Sequence, residues 1–196
     1  MKHRGRILII LGLLLIAAAI GLTLFNIWDD ERAAETSEAV LEKLLPDVIG
    51  NGGSEGAYPD EMPVIEIDGE KYIGVISIPA IGIDLPVNSE WSYPALRNSP
   101  CRYFGSAYTD DMVLCAHNYN WHFGKLKTLS YGDTVLFTDV SGNVFAYEVS
   151  EVEVLRPTSV EEMLDAEDWD LSLFTCTIGG ATRVTVRCSR LSTNLN

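Results

Sequence analysis

The spacing of hydrophobic residues changes character twice along the chain. From Ile7 to Phe25 no position is charged, and Asn26, Ile27 and Trp28 extend the run to an interface aromatic before Asp29-Asp30. About 20 apolar residues cross a bilayer as a helix, so the pattern predicts a transmembrane helix over 7–28. Ala17-Ala18-Ala19 resembles a signal-peptide cleavage site, but the chain stays apolar well past it, which favours a retained anchor. Apolar residues then recur at near-helical spacing (Ala33, Ala34, Val40, Leu41, Leu44, Leu45), with Pro46 just beyond. This predicts a helical spacer, followed by the flexible Asn51-Gly52-Gly53-Ser54-Glu55-Gly56.

From Met62 the texture is that of strands. Lys71–Ile78 and Ile81–Val87 are rich in β-branched residues, and Met112–Ala116 is a compact apolar run. Thr134–Thr138 and Asn143–Val149 flank Asp139-Val140-Ser141-Gly142, a turn sequence, and the second arm continues to Leu155. Leu171–Cys176 and Arg183–Arg190 are the last strands, while Tyr93–Leu96, Phe123–Leu129 and Val160–Asp165 read as short helical turns. About eight short strands with few helices favour an all-β, closed barrel over a sandwich.

Charge sets the orientation and excludes one class of partner. The chain carries 14 basic and 28 acidic residues, a net charge of −14. Lys2, Arg4 and Arg6 precede the apolar run, so positive-inside places the N-terminus in the cytoplasm and the β-domain outside. The remaining 11 basic against 28 acidic residues repel polyphosphate backbones, so no nucleic acid is expected as a partner.

The candidate chemistry lies in Leu173-Phe174-Thr175-Cys176-Thr177-Ile178-Gly179-Gly180-Ala181-Thr182-Arg183. A strand delivers Cys176 to its end, a Gly-Gly turn follows, and Arg183 opens the next strand. Thiol and guanidinium then face each other on adjacent antiparallel strands, an arrangement suited to a thiolate nucleophile with an electrostatic partner. Cysteine catalysis also needs an imidazole to move protons. His3 lies on the cytoplasmic side, His117 ends the strand Met112–Ala116, and His122 follows five residues later. The two later histidines also admit a metal-ligand reading, which lacks a third and fourth ligand; the plain alternative is a strand-end His117 and an exposed His122. Cys101, Cys115 and Cys188 read as core thiols beside a reduced Cys176, although an extracytoplasmic domain admits one disulfide.

These residues resemble the sortases, cysteine transpeptidases on the surface of Gram-positive bacteria. The resemblance runs from about Tyr72 to Leu191. It rests on Ile76-Ser77-Ile78-Pro79 continuing to Leu85-Pro86-Val87, Ala116-His117-Asn118, Phe123-Gly124-Lys125-Leu126 with Gly132-Asp133, Leu173-Phe174-Thr175-Cys176 and Arg183-Val184-Thr185-Val186. It implies a closed eight-stranded sortase-type β-barrel in which Cys176 attacks the Thr–Gly amide of an LPXTG-like sorting signal. His117 would protonate the leaving amine, Arg183 would stabilise oxyanion and substrate, and Thr175 would line the substrate groove. The implied partners are a sorting-signal peptide, an amine acceptor (a cell-wall precursor or a pilin lysine) and the membrane. The implied organisation is a cytoplasmic tip (1–6), a transmembrane anchor (7–28), an extracytoplasmic stalk (29–60) and a catalytic domain (61–196). The subclass reads as class D-like or class B-like. No cofactor is expected; calcium would require the acidic segment Glu161, Glu162, Asp165, Glu167 and Asp168, which reads more simply as a solvated loop. The competing readings are a membrane-anchored β-domain with no catalysis and a related thiol hydrolase that passes the acyl group to water.

Overall fold

The computed structural model of the chain describes residues 2–50, 58–165 and 168–191. Its first element, α1, runs over Lys2–Gly50. Two compact units divide within it, one ending at Arg32 and the other beginning at Ala33. In the first unit the large apolar side chains from Ile7 to Trp28 are exposed. Among the described residues α1 is the one helix long and apolar enough to cross a membrane. The expected flexible linker, 51–56, lies outside the described residues.

The part of α1 in the second unit is helical, as its spacing predicts, but it is packed rather than a free spacer. Val40, Leu44 and Val48 are buried in one cluster with Ile67, Tyr72, Val75 and Val140. Nor does Pro46 end the helix, which continues to Gly50. A proline inside a helix costs about 3 kcal/mol, and burying a Leu or Val side chain returns about 1.5–3 kcal/mol each. Leu44 and Val48, on either side of Pro46, are 0% and 4% exposed, so packing wins.

The remaining chain of this unit forms one sheet. Its strands are β1 (Ile65–Ile67), β2 (Glu70–Ile78), β3 (Ile83–Asn88), β4 (Cys101–Phe104), β5 (Met112–Ala116), β6 (Thr134–Asp139), β7 (Val144–Leu155), β8 (Leu171–Cys176) and β9 (Arg183–Arg190). Pairing runs β2-β3-β4-β5-β8-β9-β7-β6, and β6 returns to β2 through Gly74↔Asp139 to Ser77↔Leu136. The ring therefore closes with eight strands, as expected, and β1 pairs with the start of β2. Most neighbours are antiparallel; β3–β4 and β5–β8 are parallel. Two strands escape the sequence pattern: β1 and β4 span three and four residues, too short to show a period.

Alternation along the strands turns one set of side chains inward. Ile73, Ile76, Leu114, Phe137, Phe145, Tyr147, Leu171, Leu173 and Val186 are all within 1% of full burial and share one core. Two short helices lie outside it, α2 (Tyr93–Leu96) and α3 (Val160–Leu164). Asp139 builds the β6–β7 turn: its carboxylate accepts from Ser141 N (2.8 Å), Asn143 N (2.9 Å) and the Tyr108 hydroxyl (2.6 Å).

Candidate active site

Register brings the predicted residues together. Strands β8 and β9 pair antiparallel with Cys176 directly opposite Arg183, so the two side chains leave the sheet on the same face. Parallel pairing of β5 with β8 sets Ala116 opposite Thr175, and one step further along both strands lie His117 and Cys176. Cys176, His117 and Arg183 line one cleft of about 260 Å³.

The turn between thiol and arginine is closed by two threonines. Thr177 N donates to Thr182 O (3.0 Å), Thr182 N donates to Thr177 Oγ1 (3.1 Å), and the two hydroxyls are 3.0 Å apart. Gly179 and Gly180 occupy the left-handed region, with φ of 83° and 73°, where a side chain would be strained. Arg183 Nη1 donates to Gly180 O and Thr182 O, both at 3.1 Å. The guanidinium is thus steered by its own hairpin and keeps its place at the cleft.

Burial separates the four thiols, which are all free. Cys101, Cys115 and Cys188 are at most 2% exposed. Desolvation pushes the Cys101 thiol up from its ordinary 9.0 to about 12, and pushes Cys115 and Cys188 up as well. These three stay protonated at any ordinary pH. Cys176 is half-buried and opens to the cleft, the position a reactive thiol requires.

Thr175 departs from expectation. It is 3% exposed, does not line the cleft, and donates its hydroxyl to Ala116 O at 2.8 Å. Strand alternation is the reason: Phe174 and Cys176 point to the cleft, so Thr175 between them points away. Its hydroxyl instead ties β8 to β5, the strand that presents His117. His122 departs too: it is fully buried rather than exposed and does not line the cleft. Among the described residues no group of three or more His, Cys, Asp or Glu could hold a metal ion; Glu167 lies outside them.

Several residues of the site carry no sequence signal of their own. Tyr93, Trp91, Tyr103 and Phe174 form a run of edge-on contacts along one wall, with centroids 5.2, 6.1 and 5.3 Å apart. The lining also takes in Arg156, Pro157 and Ser159, which lead into α3, and Val160 and Met163 of α3 itself. Arg187 holds that segment. It is 2% exposed and donates to Glu153 (2.7 Å), to Ser172 Oγ (2.8 Å) and to the carbonyls of Glu162 and Met163. The described lining carries Arg156, Arg183 and His117 and no carboxylate, in a chain of net charge −14. Developing negative charge is stabilised in such a cleft.

A closed barrel with a thiol, an imidazole and a guanidinium at one cleft defines a candidate thiol acyl-transfer enzyme. The protein-family comparison matches the Sortase domain over residues 76–191, more than half of the chain, and the chain belongs to the sortase family of cysteine transpeptidases. Among solved structures it is similar to sortase C1 from Streptococcus suis, at 29% identity over 63% of this chain and 75% of that one, with a TM-score of 0.54. It shares the fold of a Clostridium perfringens sortase D5 transpeptidase (20% identity, 83% of this chain and 99% of that one, TM-score 0.59). It also shares the fold of Clostridium perfringens sortase C, solved with the C-terminal cell wall sorting motif (24% identity, 83% and 95%, TM-score 0.56). Comparison with curated proteins returns no match.

Proposed function

We propose that this sortase cleaves an LPXTG-like sorting signal by attack of Cys176 on the Thr–Gly carbonyl carbon. The C–N bond breaks, the acyl part remains on Sγ as a thioester, and His117 gives a proton to the departing amine. Arg183 donates to the carbonyl oxygen as it gains charge. The amine of a cell-wall precursor or a pilin lysine then attacks the thioester, forms the new amide and returns the thiol. The observation that carries the reading is the convergence of these three side chains on one cleft, with Cys176 and Arg183 in register across β8 and β9.

Family membership supports the sorting-signal substrate, as does the sorting motif solved with a protein of this fold. In this reading residues 7–28 anchor the enzyme in the membrane with residues 1–6 in the cytoplasm. The length and hydropathy of α1 support the anchor, and the flanking Lys2, Arg4 and Arg6 support its orientation. The catalytic unit begins with the packed part of α1 and needs no cofactor.

The test is a fluorogenic LPXTG-type peptide given to the full-length chain in detergent micelles, with and without an amine acceptor. Cleavage lost in Cys176→Ala and His117→Ala, with amine-joined product from the parent chain, is the expected result. Release without joined product would make the protein a thiol hydrolase. No cleavage by the parent chain, together with no thiol-reagent labelling at Cys176, would leave a non-catalytic β-domain.

A further inference from the structure

His122 is buried within the loop that follows His117, and α1 reaches it. Its Nε2 lies 3.1 Å from Ser37 Oγ, a contact between residues 85 apart in sequence. Ser37 is itself 2% exposed, and its hydroxyl donates to Asn98 O at 2.6 Å. A serine hydroxyl has one proton to give. With that proton spent on Asn98, Ser37 Oγ accepts from His122, which assigns the His122 proton to Nε2 and fixes the plane of its ring.

The fixed ring reaches the proton donor through the ring of Tyr119. Tyr119 packs against His122 with ring centroids 5.5 Å apart and against His117 at 5.1 Å. The main chain couples the same residues: Tyr119 O accepts from His122 N (3.1 Å) and Gly124 N (2.9 Å), and His117 O accepts from Phe123 N (3.3 Å). Phe123 is fully buried in the core. The loop backbone also packs closely on Gly124, where a Cβ would sit 2.6 Å from the carbonyl oxygens of both Asn118 and Tyr119. A shift of His122 therefore passes to Tyr119 and to His117.

Resting on the assignment of His117 as proton donor, we propose that Ser37 and His122 are positioning residues for it, and that α1 is thereby part of the catalytic apparatus. Neither touches substrate. Their effect is on how often the imidazole points correctly, so it falls on kcat and not on substrate binding. Displacement of a reacting group by about 1 Å costs up to about 100-fold in rate, and a partial loosening costs about tenfold.

The test measures kcat, KM and melting temperature for full-length Ser37→Ala, His122→Phe and Ser37→Thr in the micellar peptide assay. Ser37→Ala and His122→Phe should lower kcat about tenfold with KM within about twofold, and Ser37→Thr, which keeps the hydroxyl, should recover most of the loss. If His122→Phe does not fold, the Ser37 pair decides alone. A kcat unchanged in the folded variants, with only the melting temperature lowered, would make the contact purely structural and overturn the inference. His117→Ala is run alongside: full activity there removes the reading on which the inference rests. An inactive His117→Ala beside parent-like Ser37→Ala and His122→Phe defeats the inference alone.

Discussion

The cleft is built by two regions that owe their geometry to different things. The β8–β9 hairpin is local: Cys176 and Arg183 are joined by a six-residue turn whose own threonines and glycines hold it shut. The His117 loop is backed from a distance, through His122, by a serine on α1 and by packing of that helix on β1 and β2. One side of the site is specified by adjacent sequence and the other by tertiary contact. A local device tolerates change elsewhere in the molecule, while a long-range one fails when any of its supports is removed.

Removing the distant support has the largest expected effect. A chain shortened to begin at residue 60 loses Val40, Leu44 and Val48 and uncovers Ile67, Tyr72, Val75 and Val140. At about 1.5–3 kcal/mol per buried aliphatic side chain, the loss is about 5–9 kcal/mol, checked by denaturant unfolding against a chain beginning at residue 33. Equal stability of the two would show that the helix only leans on the barrel. On the hairpin side, Arg183→Ala should lower kcat about 100- to 1,000-fold, the cost of one oxyanion donor, with little change in melting temperature because the side chain is largely outside the core. Arg183→Lys should recover only part of the rate, since it lacks the planar fork; full recovery would mean that charge alone suffices.

Two further substitutions have smaller expected effects. Arg187→Leu leaves Glu153 and two α3 carbonyls without their donor and should cost about 3 kcal/mol in stability, read by thermal melting. It should also raise KM, because the wall carrying Val160 and Met163 loosens. Thr175→Val keeps the shape and removes only the hydroxyl bond to Ala116, worth about 1 kcal/mol. A direct substrate contact would instead show as a large rise in KM without loss of stability.

How much of this was legible in the sequence follows the same division. The barrel, the hairpin and the meeting of Cys176 with Arg183 were readable, because alternation and turn chemistry act over a few residues. Thr175 was readable as well: the alternation that aims Cys176 at the cleft aims its neighbour away, and the family resemblance obscured that. Arg187 carried no such mark: it lies four residues past Arg183 on the same strand, away from the turn, and its burial comes from residues distant in sequence. The partnership of Ser37 with His122 leaves no local mark at all. An apolar stripe at helical spacing looks the same on a spacer as on a packed helix, and a buried histidine looks the same as an exposed one.

Cys176 should carry the acyl group, which intact-mass spectrometry of the full-length chain with an LPXTG-type peptide detects. The expected spectrum shows an adduct equal to the peptide through its threonine, mapped to Cys176 and discharged by an added amine. An adduct that persists in Cys176→Ala, or peptide cleavage retained by that variant, would overturn the thioester at Cys176.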